Sequence, residues 1–520
     1  MKSVRNDNSD EGYIEQKFED PSFIKDWSDD QKAELAYQIL SCIPVSKTIQ
    51  IINRLLPIIH IDYISKLPYE IAIKILSFLD VTALNNLNRV SKYWKLLSED
   101  HMLWKSLFYS SGWTVNSSSM NRYLCCKTLP STTNRMIGSS DQLLYNDEQS
   151  SLRLQHQQSH RETVSQTIVE RPLYLLHKRY HHDEAPIYHY DEQKDIRFIN
   201  WKRLYRNRFI IDQRWKEGKS KLRQFPNSDN GLQQQVLNHN SGIYCLQFNT
   251  KILVTGSRDK NIKIWNIKTG QLLHKLKGHE GSVLCLQFNE YYLISGSSDS
   301  TLIVWDIHTG QRIKTLIGHR ESVLNVKFHK NRIVSCSKDR TIRAWDLEKG
   351  ESIGLFRGHR AAVNAVQFKD QIIVSASGDR TIKVWDMSTG ECLRTLDSHS
   401  RGIACVEYDG NMIVSGSSDQ TIKVWNAMTG ECLYTLVGHT DLVRTLQLDN
   451  KLKIIVSGSY DGTLKIWQLE DGSLIKTLNQ ISFGRILNLQ FDFSKIVCCS
   501  NLGQIVIWDF TYDIDSQFLL

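Results

Sequence analysis

The stretch Ser375-Ala-Ser-Gly-Asp379-Arg380-Thr-Ile-Lys-Val-Trp385 carries an Asp followed six residues later by a Trp, and its pattern recurs along the second half of the chain. Trp265, Trp305, Trp345, Trp385, Trp425, Trp467 and Trp508 stand at steps of 40, 40, 40, 40, 42 and 41 residues. Self-similarity at this period, with a Gly-His pair upstream, marks a four-stranded unit that stacks on its own copies. Seven copies predict a seven-bladed β-propeller over residues 232–515. His239, His279, His319, His359, His399 and His439 keep register with Asp259, Asp299, Asp339, Asp379, Asp419 and Asp461. Such pairs suggest catalysis, but repeated in every blade they are expected to be buried pins, because buried polar groups need partners. In the last repeat Ser482 and Leu502 occupy the His and Asp slots, so that pin is expected to be missing. Residues 232–237 are expected to supply the outer strand that closes the ring against the last blade.

Composition bounds the rest. The 520 residues, 41% hydrophobic and 23% charged, suffice for several globular domains. No apolar run reaches the length of a membrane helix, and Met1 to Asp10 lack the features of a signal peptide, so a cytoplasmic or nuclear location and no membrane partner are expected. Eleven cysteines include Cys245, Cys285, Cys336 and Cys405 inside strand-like segments, where they are read as reduced, buried thiols. The net charge of +8 is modest for this length and does not by itself indicate a nucleic-acid partner.

Ahead of the repeats, residues 1–20 read as disordered and 21–60 as helical. Ser28 followed three residues later by Gln31 forms a capping box, and Asp29 and Asp30 suit the positive end of the helix dipole. The run Ile49 to Ile59 is either local core or a face for homodimerisation. Residues 62–108 predict several short helices, with Pro68 in a first turn and Ile71, Ile75 and Leu79 on one stripe. The composition of 111–192 turns to Ser, Asn, Gln and His, which predicts a disordered insert. His181, His182 and His189 lie there, but no Cys pair has ligand spacing, so no metal and no other cofactor is assigned. Residues 193–224 predict a helical connector whose apolar side holds Trp201, Leu204, Tyr205, Phe209, Ile210 and Trp215.

Variable slots within the repeats define the candidate binding surface. Five residues beyond each His slot stand Tyr244, Leu284, Leu324, Asn364, Ala404, Arg444 and Leu487. Just before each Asp slot stand Arg258, Ser298, Lys338, Gly378, Ser418, Tyr460 and Asn501. Equivalent slots share one face, and with Arg380, Arg401 and Arg485 that rim gathers six cations, with no acid in either slot set. Guanidinium forks match phosphate oxygens, so the rim suits a dianion.

Two resemblances follow from these residues. The order Leu67-Pro68-x-Glu70-Ile71, Ile75-Leu76-x-x-Leu79-Asp80, Val90-Ser91-Lys92-x-Trp94 and Leu103-Trp104 resembles an F-box. The segments Gly242-Ile-Tyr244-Cys-Leu-Gln, Gly278-His-Glu-Gly-Ser282-Val-Leu-Cys-Leu-Gln, Gly358-His-Arg-Ala-Ala-Val-Asn364 and Arg401-Gly-Ile-Ala-Cys resemble the beta-transducin repeat-containing F-box/WD-repeat proteins. That family implies a multidomain chain, a small all-α part followed by an all-β seven-bladed WD-repeat propeller. It also implies a non-catalytic substrate receptor of an SCF (Skp, cullin, F-box) ubiquitin ligase that binds Asp-phosphoSer-Gly-x-x-phosphoSer degrons. A Skp-type adaptor, and through it a cullin-RING ligase, would be bound by Leu67, Pro68, Ile71, Ile75, Leu79, Val90 and Trp94. Carried over by position, Tyr244, Arg258, Ser282 and Ser298 would hold one phosphate, and Arg401, Gly402 and Ser418 the other. Arg444 and Tyr460 would meet the degron's Asp. Leu324, Asn364, Ala404, Leu442 and Arg485 would surround its small central residues, with Lys338 and Arg380 adding positive potential. Two alternatives remain: a receptor of the cell-cycle or sulfur-regulation type, in which Arg340, Arg380 and Arg444 serve a single-phosphate motif, and a WD-repeat scaffold outside any ligase.

Overall fold

The computed structural model describes residues 27–59, 62–125, 187–191, 196–226, 239, 241–479 and 484–519. They fall into two compact units, Met1–Asp100 and His101–Leu520.

In the first unit, helix α1 (Asp29–Ser41) opens with the expected capping box. The Gln31 amide donates to Ser28 Oγ at 3.3 Å, and the Ser28 amide donates to Gln31 Oε1 at 3.0 Å. A short turn leads to α2 (Val45–Ile59). Four short helices follow: α3 (Tyr63–Lys66), α4 (Tyr69–Leu76), α5 (Val81–Leu87) and α6 (Lys92–Ser98). Their starts are set by local chemistry. The side chains of Asp62, Asp80 and Ser91 accept the amides of Ser65, Ala83 and Trp94 at 3.1, 3.0 and 3.2 Å, satisfying donors that the first turn leaves orphaned. Ala72, Leu76, Leu84 and Leu97 are buried among them. The predicted stripe is cut short: α4 stops at Leu76, and Leu79 follows in a tight turn, its amide donating to the Leu76 carbonyl at 3.1 Å. Asp80 must be extended to cap α5, so α4 cannot continue through it.

The second unit is a seven-bladed propeller built from seven four-stranded antiparallel sheets. Blade 1 consists of Ile243–Phe248, Ile252–Ser257, Ile262–Asn266 and Leu272–Leu276, ordered from the axis outward. Blades 2 to 6 occupy 283–316, 323–357, 363–397, 403–437 and 443–479. Consecutive inner strands pack on one another around the full ring. Antiparallel connectivity puts the loops ahead of the inner strands, and the hairpins between second and third strands, on a single face, called here the upper face. The other hairpins form the lower face.

The His-Asp pairs are pins, as expected. In blade 5 His399 spans Asp419 Oδ2 and Ser415 Oγ, both at 2.8 Å, and the Trp425 indole donates to the same Ser415 Oγ at 2.9 Å. Blades 1 to 6 all repeat this chain, with Thr255 replacing Ser in blade 1. In blade 7 Leu502 supplies no carboxylate and lies exposed, and Ser482 falls outside the described residues.

Ring closure differs from the expectation. The strand that pairs with Ile505–Asp509 of blade 7 is Lys221–Phe225, inside the segment read as connector, with Lys221 opposite Asp509 and Phe225 opposite Ile505. Residues 232–237 lie outside the described residues. The cause is the left-handed Gly218 (φ 63°), which ends the connector helix two residues before the strand begins. That left-handed turn lets the chain leave the helix and enter the sheet at once.

With α7 (His101–Ser110) and α8 (Ser117–Cys125) introduced, the connector helix becomes α9 (Trp201–Glu217). Trp201, Leu204, Tyr205, Ile211 and Trp215 are buried as predicted, but Phe209 is 45% exposed. α9 is fixed to the lower face: Trp215 stacks on Phe510 at 3.9 Å and its indole donates to the Phe493 carbonyl at 2.8 Å. Order also extends into the segment expected to be a disordered insert. Trp113 donates to Asp212 at 3.1 Å, Val115 bridges Leu519, and Met120 is buried. These apolar anchors offset the polar composition up to Cys125; residues 126–186 lie outside the described residues.

Candidate functional site on the upper face

The rim is organised by a backbone device that repeats in every blade. The register between inner and second strands shifts at one slot seven times, so Tyr244, Leu284, Leu324, Asn364, Ala404, Arg444 and Leu487 are each the extra residue of a β-bulge. A bulge bends its strand and re-aims the extra side chain. Six of these residues, all but Asn364, line the central channel, which encloses about 270 Å³. The variable slot of the sequence is therefore the channel lining.

Around the channel the assigned residues form three groups. Between blades 1 and 2 the Ser282 amide donates to Ser298 Oγ at 2.8 Å, and Ser282 Oγ donates to the Arg258 carbonyl at 3.4 Å, so these three residues and the bulged Tyr244 occupy one sector. In blade 5 the Ser418 amide donates to the Gly402 carbonyl at 2.9 Å, and Ser417 Oγ donates to the Arg401 carbonyl at 3.1 Å, which sets Arg401, Gly402 and Ser418 side by side. A Cβ at Gly402 would lie 3.1 Å from the Cα of Gly378, so a larger residue would press on the backbone of blade 4. In blade 6 the Tyr460 amide donates to the Leu442 carbonyl at 2.9 Å.

Some placements depart from the sequence assignment. Arg485 lies over the Tyr460 ring at 5.3 Å, so it joins the Tyr460 sector rather than the centre. Arg444 turns into the channel, with Nη1 donating to the Ala404 carbonyl at 3.5 Å. Ala404 is only 7% exposed, which leaves its side chain little to offer a ligand. The Asn364 amide donates to the Ile403 carbonyl at 2.7 Å, tying blade 4 to blade 5. Lys338 stands 3.9 Å from Glu321, with both side chains well exposed. Arg258, Arg380 and Arg401 are exposed, and Leu324 is half-buried.

Sequence reasoning missed the polar lining below the rim. Gln247, Gln447 and Gln490 each donate from Nε2 to a carbonyl of the next inner strand, those of Phe288, Phe491 and Phe248, at 3.1, 3.2 and 3.2 Å. The last bond crosses the seam where the ring closes. A Gln three residues beyond the bulge slot was the available signal. Deeper in, Lys327 lies 3.8 Å from Glu407, whose carboxyl is pushed up by burial and partly held down by Lys327.

A second surface lies on the first unit. Ile71, Ile75 and Val90 are 49%, 41% and 61% exposed, Pro68 is also exposed, and Leu67 and Leu79 are half-buried. They are not the core of their own helices. Trp94 is committed internally, its indole donating to Asp62 at 2.8 Å and pinning α6 to the start of α3. Phe78, 79% exposed under the Lys74 ammonium, belongs to this surface and had no place in the stripe. Among the described residues no cluster of His, Cys, Asp and Glu could hold a metal ion, and no helix is long and apolar enough to cross a membrane.

Comparison with known proteins agrees with this division. The F-box-like family model matches residues 64–110, and the model described as WD domain, G-beta repeat matches 231–266, 270–306, 310–346, 350–386, 390–426 and 430–468. The chain thus has the F-box and WD-repeat architecture. The six matches end at blade 6, and blade 7, without its His-Asp pin, is defined by the structure. Among curated relatives, a probable E3 ubiquitin ligase complex SCF subunit sconB of Aspergillus niger is 30% identical over 234 residues, 41% of this chain and 32% of that protein. The protein of the same description in Talaromyces marneffei is 31% identical over 232 residues, 42% of this chain and 31% of that one. The match spans about a third of the length of these relatives. The crystal structure of the computationally designed Ika8 protein is similar at 32% identity and a TM-score of 0.45, over 52% of this chain and 97% of that one.

Proposed function

We propose that this chain is the substrate-binding subunit of an SCF-type ubiquitin ligase, holding a doubly phosphorylated Asp-Ser-Gly-x-x-Ser segment on the upper face of the propeller. The observation that carries the reading is the pairing of cations with hydroxyls in two separate sectors, Arg258 with Ser282 and Ser298, and Arg401 with Ser418. Each sector suits one phosphate dianion, and an unmodified Ser supplies neither the charge nor the acceptor oxygens. The exposed Pro68, Ile71, Ile75 and Val90 are the proposed contact for a Skp-type adaptor, through which a cullin-RING assembly would be recruited.

The role is that of an adaptor, acting by holding substrate lysines near a charged enzyme bound elsewhere in the assembly. Burial pushes the thiols of Cys285 and Cys405 up to about 12, which suits packing and not nucleophilic attack. Reduced, buried thiols also fit the proposed cytoplasmic or nuclear location. Homodimerisation through α1 and α2 is proposed on the exposure of Tyr37, Ile39, Val45, Ile49 and Ile52, and sedimentation of the full chain against one lacking residues 27–59 tests it.

The deciding experiment compares binding of doubly, singly and unphosphorylated forms of one Asp-Ser-Gly-x-x-Ser peptide at physiological salt. Selective capture of the doubly phosphorylated form is expected. Preference for a singly phosphorylated Thr-Pro peptide would point to the cell-cycle or sulfur-regulation type instead. Indifference to phosphorylation would leave a WD-repeat scaffold.

A further inference from the structure

The upper face is not evenly charged. Three positions recur there in each blade: the residue after the His, the residue before the Asp and the residue after the Asp. In blade 3 they are Arg320, Lys338 and Arg340, and in blade 4 Arg360, Gly378 and Arg380. Blade 2 has Glu280, Ser298 and Ser300; blade 5 has Ser400, Ser418 and Gln420; blade 6 has Thr440, Tyr460 and Gly462. The pins hold these positions together. The backbone amides of Arg320 and Arg360 donate to Asp339 and Asp379 at 3.0 and 2.8 Å, so each arginine starts beside the hairpin that carries the other cations of its blade. Arg320, Arg340 and Arg360 are all exposed. Asp339 and Asp379 are engaged by His319 and His359, leaving Glu321, near Lys338, as the neighbouring free carboxylate among the three slots and their adjoining loop residues.

The fold does not need these charges. Arg340 sits in the left-handed region (φ 68°), where Gly462 and Gly503 serve blades 6 and 7. Arg320 and Arg360 occupy a position filled by Glu, Ser or Thr in blades 2, 5 and 6. Five cations on two adjacent blades form a one-sided field next to blade 5, where the second phosphate sector lies.

We propose that blades 3 and 4 form an acidic-segment subsite, in which Arg320, Arg340 and Arg360 receive Asp, Glu or further phosphoserine residues C-terminal to the second phosphoserine of the bound segment. This rests on the two-phosphate reading above and narrows its substrates to degrons with an acidic C-terminal flank. Exposed charge pairs contribute about a factor of two each, so three give about an eightfold gain, much of it in the association rate and sensitive to salt.

The test uses the full chain and four peptides with the same doubly phosphorylated core, extended by four residues that are acidic or neutral, on the C-terminal or the N-terminal side. The acidic C-terminal extension is expected to bind about eightfold more tightly than its neutral counterpart at low salt, with the difference shrinking as salt is raised. The double variant Arg320→Glu, Arg360→Glu should remove that difference while binding the neutral peptide as before, with unchanged melting temperature. Equal affinity for all four phosphorylated peptides, or a gain that survives the double variant, overturns the subsite and leaves the phosphodegron reading in place. A gain confined to the N-terminal extension overturns it too. Failure of every phosphorylated peptide to outbind its unphosphorylated form overturns the underlying reading instead.

Discussion

At the residue scale the same side-chain types serve opposite ends. A His and an Asp in contact are the raw material of acid–base catalysis, yet here burial and saturation make them inert. Asp419 accepts from His399, from the amides of Ser400 and Thr421 and from the Thr421 hydroxyl. Asp419→Asn keeps the shape but turns an acceptor toward a donor, so a loss of about 1–3 kcal/mol is expected in denaturant unfolding, the scale of one buried polar group left unpaired. Arg401 is exposed and makes no part of this network. Arg401→Ala should therefore abolish capture of the doubly phosphorylated peptide and leave the unfolding midpoint unchanged; tight binding by that variant would remove the second phosphate sector.

At the element scale, the ring is joined by a strand that arrives from outside the repeats. Phe225 pairs opposite Ile505, is buried, and meets the edge of Trp265 in blade 1 at 6.1 Å, so it bridges the seam. Phe225→Ala should cost about 3–5 kcal/mol, with early amide exchange in blades 7 and 1 as its mark. The α4 surface makes the opposite prediction. Ile71→Lys with Ile75→Lys places charge on side chains already half in water, so stability should change by less than about 0.5 kcal/mol per site. Co-precipitation of a Skp-type adaptor should nonetheless be lost; a destabilised but still binding variant would show these residues to be core.

At the scale of the whole molecule, the pins add up to a dependence on pH. Burial lowers the pKa of His239, His319, His359 and His399 below the ordinary value of 6.5, with their Asp partners only partly opposing it. A depressed folded-state value means that the unfolded chain binds protons first, so stability is full above about 6.5 and falls as pH drops below it. For Asp259, Asp339, Asp379 and Asp419 burial acts upward, but hydrogen bonds from His, Thr or Asn side chains and nearby amides hold them at about 2. Their contribution is present above about 3.8 and is lost toward 2. The melting temperature should thus decline in two stages on acidification, and substituting Asn for one Asp should shrink the lower stage.

The chain's periodicity alone determined the number of blades, the pins and the capping box of α1, because each is a local pattern: a period, a spacing of six, a Ser three residues before a Gln. It also placed the binding slots on one face, since equivalent positions in a repeat must be equivalent in space. What it could not reach were relations between distant segments. That Lys221–Phe225 closes the ring followed from where the left-handed Gly218 aims the chain, and the order of Trp113 to Cys125 followed from apolar partners near residue 519. The seven bulges that turn the variable slot into the channel, and the stacking of Arg485 on Tyr460, depend on strand register and on contact between neighbouring blades. Such contacts are made only when the ring is closed, and so only the tertiary structure decided them.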